Sequence, residues 1–270
     1  MLRRREFLTL AAALPLAAKT PVHSVKVETV YKSPGPKPNG LQATREGLWI
    51  LDQGDNKAYL VDYKSGKVLR ALTTDSKAGS GITFDGEAIW LASTYSREII
   101  RADANTGKTI AKFDCPGAGV VAWTKGRTSP LAKPAAPPKP AADGSKKAPQ
   151  QRQATGAHGL EWRNGKLWIA VPPAQTVYRM DPKTWKEEFK FKTSGDRPHG
   201  IAWEGDFLWC TDSNHNAFFK HDIRTGAVHE RIQLTDADPL PHGMTVWDGH
   251  MWYCDDVGVV CRFKMPARTT

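Results

Sequence analysis

Three histidines occupy the same place in three similar stretches of this chain: His158 in "AHGLEWRNGKLW", His199 in "RPHGIAWEGDFLW" and His242 in "PHGMTVWDGHMW". Each stands directly before a glycine and ten residues before a tryptophan. Three neutral imidazoles brought to one point would suit Zn²⁺ or another borderline transition ion, with one position left open for water or substrate. An oxygen-seeking ion such as Ca²⁺ would want carboxylates and carbonyls there instead. Two further copies of the stretch carry Asn39 and Ser80 at the equivalent place, so the column reads Asn39, Ser80, His158, His199, His242. All five are polar. The chain has 8 His, and three in one column of five argue for a shared task. The plainer reading is that copied units inherited a turn-capping histidine.

A second column supports the same end of the repeat. Where the next apolar run closes, the copies carry Asp52, Ser93, Val171, Asp212 and Asp255. Carboxylates beside imidazoles can orient ring N–H groups or move protons, although Asp at a strand end also simply makes turns. Glu161, two residues past Gly159, is the one carboxylate in its column of Gln42, Thr83, Glu161, Ala202 and Thr245. The expected metal ligands are therefore His158, His199, His242 and Asn39. The expected catalytic groups are His242, His199 and Glu161, with Asp52, Asp212, Asp255 and Ser80 in support. The other histidines (His23, His215, His221, His229, His250) fall in loops or unrelated columns, and no Gly-rich phosphate loop precedes a helix.

What must position these residues is a repeat. Five segments align without gaps from a glycine to a tryptophan: Gly40 to Trp49, Gly81 to Trp90, Gly159 to Trp168, Gly200 to Trp209 and Gly243 to Trp252. Thirteen residues beyond the Trp, four of the five have an Asp: Asp62, Asp103, Asp181 and Asp222. Three of these begin the turn sequences "DYKSG", "DANTG" and "DIRTG", and the fourth reads "DPKTW". Each unit reads as four short strands, for example "GIAW", "LWCTD", "AFFKHD" and "AVHERIQL". Four strands per roughly 40 residues, repeated, predict an all-β chain folded as a β-propeller. Five four-stranded blades are expected, with six as the alternative. The first residue of each inner strand would sit at the mouth of the central channel, and the repeated Trp would pack between blades.

The last unit ends near Phe263-Lys264 without a fourth strand, and the stretch from Ser24 to Asn39 has the length to supply it. An N-terminal strand is therefore expected to close the last blade and hide two sheet edges. The interval between the second and third units is long. Residues 119–157 hold a Pro/Ala/Lys-rich insertion with one strand-like run, "GVVAW", which is either a solvated tether or a partial cover over the mouth.

The net charge of +10 is concentrated in two places. Residues 1–19 carry Arg3, Arg4, Arg5 and Lys19 against Glu6, and residues 125–152 carry seven basic side chains against Asp143. The remaining body is nearly neutral, which argues against a nucleic-acid face. The start, "MLRRREFLTLAAALPLAAKT", has a basic opening and an apolar run too short for a stable membrane anchor. Arg4-Arg5-Glu6-Phe7-Leu8 resembles the twin-arginine export motif. Residues 1–18 are thus expected to be a signal peptide, 19–264 the propeller and 265–270 a tail. A monomer without membrane anchor, in the periplasm or outside the cell, is expected. There a two-residue Val257-Gly258 turn would set Cys254 opposite Cys261, in reach of a disulfide.

"DRPHGIAWEG" and "PLPHGMTVWDGHMWYC" resemble the late blades of virginiamycin B lyase, a propeller lyase that opens a cyclic depsipeptide with Mg²⁺ and a catalytic His. The X-Gly-Leu/Ile/Met pattern resembles the gluconolactonase/senescence-marker-protein group, where X is a metal-binding Asn or Asp. Pro-His at blade starts is similar to the zinc-binding pattern of peptidylglycine amidating lyase. The resemblance implies that His242 is the lyase-like catalytic residue, with His199 as its partner. The lyase Glu two residues before that His is Leu240 here, and the lactonase-type ligands are His158, His199 and His242. The resulting expectation is a metal-assisted lyase or hydrolase for a small lactone, ester or peptide-like substrate, with Zn²⁺ or Mg²⁺ ahead of Ca²⁺. The alternative is a non-catalytic propeller that binds a ligand or a protein partner. Glutamine cyclotransferase chemistry shares the five-bladed architecture, but no residue in this chain points to it.

Overall fold

Short alternating runs punctuated by Asp, Asn and Gly fold as strands throughout the computed structural model, which describes residues 20–123, 125–133 and 153–267. Two N-terminal strands come first, β1 (Val22–Ser24) and β2 (Glu28–Lys32). Blade one is β3 (Pro38–Ala43), β4 (Leu48–Asp52), β5 (Lys57–Val61) and β6 (Val68–Thr73). Blade two is β7 (Gly79–Phe84), β8 (Ala88–Ser93), β9 (Glu98–Asp103) and β10 (Thr109–Asp114). Blade three is β11 (Gly159–Arg163), β12 (Lys166–Val171), β13 (Thr176–Met180) and β14 (Glu187–Lys192). Blade four is β15 (Pro198–Glu204), β16 (Phe207–Asp212), β17 (Ala217–Asp222) and β18 (Val228–Gln233). Blade five is β19 (Met244–Trp247), β20 (His250–Asp255) and β21 (Val259–Lys264), with β2 as its outer strand. The chain is a five-bladed β-propeller.

β2 runs antiparallel to β21, with Glu28 opposite Arg262, and closes the ring as the lengths required. The arm does more than that. β1 pairs parallel with β18, Val22 opposite Arg231, so one short segment ties blade four to blade five. His23 Nε2 lies 3.2 Å from Glu230 on β18.

Each repeated Trp is buried in a separate apolar cluster shared by two blades. Trp49 packs with Ile82 and Leu91 of blade two, and Trp90 with Leu160 and Leu167 of blade three. Trp168 packs with Ile201 and Leu208, Trp209 with Met244 and Met251, and Trp252 with Leu41 and Leu48. A cation also lies near every one of these rings: Arg70, Arg101, Arg179, Lys220 and Arg262, at 5.3–5.9 Å from the ring centres. Four of the five sit directly across the sheet from their Trp, as Arg101 does from Trp90. The sequence pattern showed the Trp but not its cationic neighbour, because the partner lies on another strand.

The glycine column has its own cause. A Cβ on Gly40, Gly81, Gly159, Gly200 or Gly243 would come closer than 3.0 Å to the backbone of the next inner strand. With five blades the inner strands crowd the axis, and only glycine permits that approach. Elsewhere the Asp turns form as expected: Asp62, Asp103, Asp181 and Asp222 each accept main-chain N–H groups from the turn that follows. In the fourth, "DPKTW", Trp185 takes the left-handed φ of 55° that glycine takes in the others. Its ring stacks 4.2 Å from Phe113 and its Nε1 donates to Asp114 O, which offsets that strain.

Two expectations need comment. Asp255 stands opposite Val259, so the β20–β21 turn has three residues, and Cys254 faces Val260 while Cys261 faces Tyr253. The extra turn residue, with Gly258 at φ 95°, turns the two thiols to opposite faces of the blade. Both are free, and the disulfide is ruled out by register. Secondly, "GVVAW" builds no sixth blade: Gly119 makes an isolated bridge to Thr155, joining the two stems of the insertion. Its described part then reaches over the mouth, where Ser129 and Arg127 bond to blades five and four. The expected signal peptide, residues 1–18, and the end of the tail lie outside the described residues. No helix among those described is long and apolar enough to cross a membrane.

Candidate functional site at the mouth of the ring

The five inner strands begin at one end of the ring, and there the structure brings three expected residues together. His158, His199 and His242 are all buried, at 9, 1 and 1% exposure. They do not aim at one centre. His158 Nδ1 and His199 Nε2 are 3.1 Å apart and share a hydrogen bond. The rings meet edge to face in succession, His158 to His199 at 4.4 Å and His199 to His242 at 4.8 Å between centres. Burial holds all three neutral: His158 is pushed down to about 3, His242 to about 4 and His199 well below the imidazole range. Arg197 and the imidazole of His242 add to the shift of His158. His242 Nδ1 donates to Leu240 O at 3.3 Å, which leaves the lone pair on Nε2.

The expected supporting carboxylates have a different task. Asp52 accepts the N–H groups of Lys37, Gly54 and Asp55. Asp212 accepts those of Arg197, Asn214 and His215. Ser93 does the same for Lys77. These side chains clasp the end of the second strand to the segment that enters the inner strand of the same blade, and their described hydrogen bonds include none to an imidazole. Ser80 accepts from Thr94 at 2.8 Å.

Asp255 departs from that pattern. One oxygen accepts from Leu240 N at 2.7 Å and from Ser129 Oγ at 2.5 Å, while the other is buried without a partner. Burial raises its pKa to about 6, and the neighbouring carboxylate of Asp256 adds to that shift. Asp256 Oδ2 lies 3.9 Å from His242 Nε2. The sequence reading missed Asp256, although the doublet in "CDDVGVV" was its visible signal.

Glu161 is buried, and burial raises its pKa to about 8, but it does not join the histidines. It accepts from Trp162 N, and its charged neighbour is Arg163. It shares the face of Gly159, further along the strand than the mouth residue, so the alternation of the strand turns it away from His158.

Four buried polar atoms at the mouth have no hydrogen-bond partner: Asn39 Oδ1, His158 Nε2, His199 Nδ1 and Asp255 Oδ1. Among the described residues, His242, Asp255 and Asp256 present donor atoms within 4.8 Å of one another, as do Asp196, Asp212 and His215. His158 and His199 belong to neither group. Two adjacent carboxylates, one with an orphaned oxygen, beside a neutral imidazole are a donor set that fits a divalent cation. A cavity of about 480 Å³ opens beside them, walled by Lys37, Arg127, Lys133, Arg197, His242 and Asp256. A larger cavity of about 590 Å³, lined by Trp49, Arg70 and Trp247, holds none of these groups.

No protein-family model matches the chain, and no curated protein matches it in sequence. Among solved structures it is similar to glutaminyl cyclase from Myxococcus xanthus, at 11% identity and a TM-score of 0.62 over 90% of this chain and 97% of that one. It is also similar to virginiamycin B lyase from Staphylococcus aureus, at 15% identity and a TM-score of 0.49 over 89% and 99% of the two chains. At such identity the glutaminyl cyclase likeness establishes the β-propeller architecture and nothing finer, and the lyase likeness adds no argument to it.

Proposed function

We propose that the mouth is the active site of an exported lyase or hydrolase for a small lactone, ester or peptide-like molecule. The observation that carries this reading is His242. It is a buried, neutral imidazole whose tautomer is fixed by Leu240 O, with Nε2 on the cavity side and a carboxylate 3.9 Å away. Asp255 and Asp256 would hold a divalent cation, and Mg²⁺, which keeps to oxygen ligands, leaves Nε2 free. When bound, that ion supplies Lewis acidity at the substrate carbonyl.

The chain's own groups do the rest. His242 Nε2 takes a proton from a water or from the carbon beside the carbonyl. Asp256, whose charge raises the pKa of His242, stabilises the imidazolium that forms. Ser129, from the insertion, and Leu240 N fix the Asp255 carboxylate.

A second reading has support of its own. The hydrogen bond between His158 and His199 and the main-chain duties of Asp52 and Asp212 are structural features, and they suit a propeller that binds without turnover. The test is metal content of protein purified without chelator, together with turnover of a panel of small lactones, esters and cyclic depsipeptides. About one divalent ion per chain is expected, lost in Asp256→Asn and kept in His242→Ala, which should turn over about 10²–10⁴-fold more slowly. Metal-free protein that is inert on the whole panel would leave the binding reading. Metal lost in His242→Ala would make that residue a ligand and not the proton acceptor.

A further inference from the structure

The cavity beside His242 is cationic. Lys37, Arg127, Lys133 and Arg197 face the single carboxylate of Asp256 across it. The three histidines bring no charge of their own, since burial keeps them neutral. Arg127 is paired, its terminal nitrogen 2.6 Å from Asp236. Arg197 is not: no salt bridge within 4.0 Å reaches it among the described residues. It donates to Arg127 O at 3.3 Å, lies 5.7 Å from the centre of the Trp123 ring, and leaves Nε buried without a partner. Burial lowers its pKa against the pull of the carboxylates of Asp256, Asp212 and Asp196, none of which comes within ion-pair distance of it. A half-buried guanidinium in that state gains most from a ligand oxyanion, which it can take in bidentate fashion. Composition explains half of the gathering, since Arg127 and Lys133 belong to the basic stretch 125–152, but Lys37 and Arg197 come from the body of the chain, which is nearly neutral. Lys37 and Arg197 come from equivalent entry segments of two blades, and the insertion adds Arg127 and Lys133 from above.

We propose that the mouth selects a small molecule bearing an oxyanion, a carboxylate or a phosphate, held by Arg197 together with Lys37, Arg127 and Lys133. This rests on the mouth being the active site, and it names the class of molecule that site accepts. The anion docks under the insertion, and the uncharged end of the molecule reaches His242.

The experiment is calorimetric titration of the full chain, stripped of metal with chelator, using succinate, inorganic phosphate and succinamide. Succinamide is a near-isosteric neutral copy of succinate. Succinate or phosphate should bind at least tenfold more tightly than succinamide, and the tighter of the two anions names the group. Arg197→Gln should weaken the anion at least tenfold. Lys37→Gln, at an exposed position, should weaken it three- to tenfold and guards against misfolding of the first variant. Asp256→Asn should tighten it three- to tenfold by removing the carboxylate that lines the cavity, an effect that a merely structural role would not produce. Equal affinity for succinate and succinamide, or anion affinity unchanged in both folded cation variants, overturns the proposal. The active-site reading fails differently: protein without metal or turnover that still shows this anion preference has lost the chemistry and kept the pocket.

Discussion

The blade interfaces and the mouth are built from the same repeat, yet they treat its five copies in opposite ways. At the interfaces every copy has one task. Trp49, Trp90, Trp168, Trp209 and Trp252 are all buried, each between two blades, each with a cation by its ring. At the mouth the copies diverge into Asn39, Ser80 and three histidines, and four buried polar atoms there lack partners. A repeat that repeats is holding the ring together. Where it departs from itself and leaves polar groups unpaired, stability is not being maximised, and function is the natural cause.

The contrast is broken most sharply at Trp209, which is fully buried among residues of blades four and five. Trp209→Ala should cost about 3–5 kcal/mol of unfolding free energy in denaturant titration. His242→Ala should stay within about 1 kcal/mol of the parent while losing turnover. Equal destabilisation by the two would erase the distinction between scaffold and site.

A smaller effect should be visible in pH. The folded pKa of each mouth histidine lies below the unfolded value near 6.5, so the unfolded chain binds more protons and stability falls as pH drops below about 6.5. His199→Gln should remove about 1–2 kcal/mol of that loss between pH 6.5 and 5, read from unfolding curves at each pH. Glu161 has the opposite sign. Its folded pKa is raised to about 8, so its contribution is present at low pH and is lost as pH rises from about 4.5 toward 8. Glu161→Gln should flatten that decline, and an unchanged profile would mean that Glu161 meets a partner on ionisation. The smallest expected effect is at the interfaces, where Arg101→Gln should cost about 0.5–1 kcal/mol through the loss of its contacts with Trp90 and Asp85.

Much of the fold was legible because the repeat is written in residues that cannot be exchanged cheaply. Gly40 and its four equivalents, the Trp column and the Asp turns each answer a local steric or hydrogen-bonding demand, and such demands leave a mark at a fixed spacing. Strand β2 was legible by length, but the parallel pairing of β1 was not, since three residues carry no pattern. The candidate site was legible only in part. The histidine column and Asp255 were found, whereas Asp256 and Ser129 stand outside every column, and Arg197 shares its place in the unit with Lys37 alone among basic residues, too few to mark one. Glu161 was singled out by being an exception, but an exception in a column says nothing about the direction in which the side chain points.

Most of the architecture was readable along the chain: five aligned units of four strands each, a ring closed by the N-terminal segment and a polar column at one end, with a sixth blade left open until the long interval proved to build none. These follow from periodicity and from residue types whose physical needs are local. Only the tertiary structure decided what the polar column is. It paired His158 with His199 and gave Asp52 and Asp212 to main-chain amides. It set His242 beside Asp255 and Asp256 and brought Arg127 and Ser129 across from a distant insertion. The physical reason is that a site depends on distances of a few ångströms between side chains on different blades, and the spacing along one blade does not contain them.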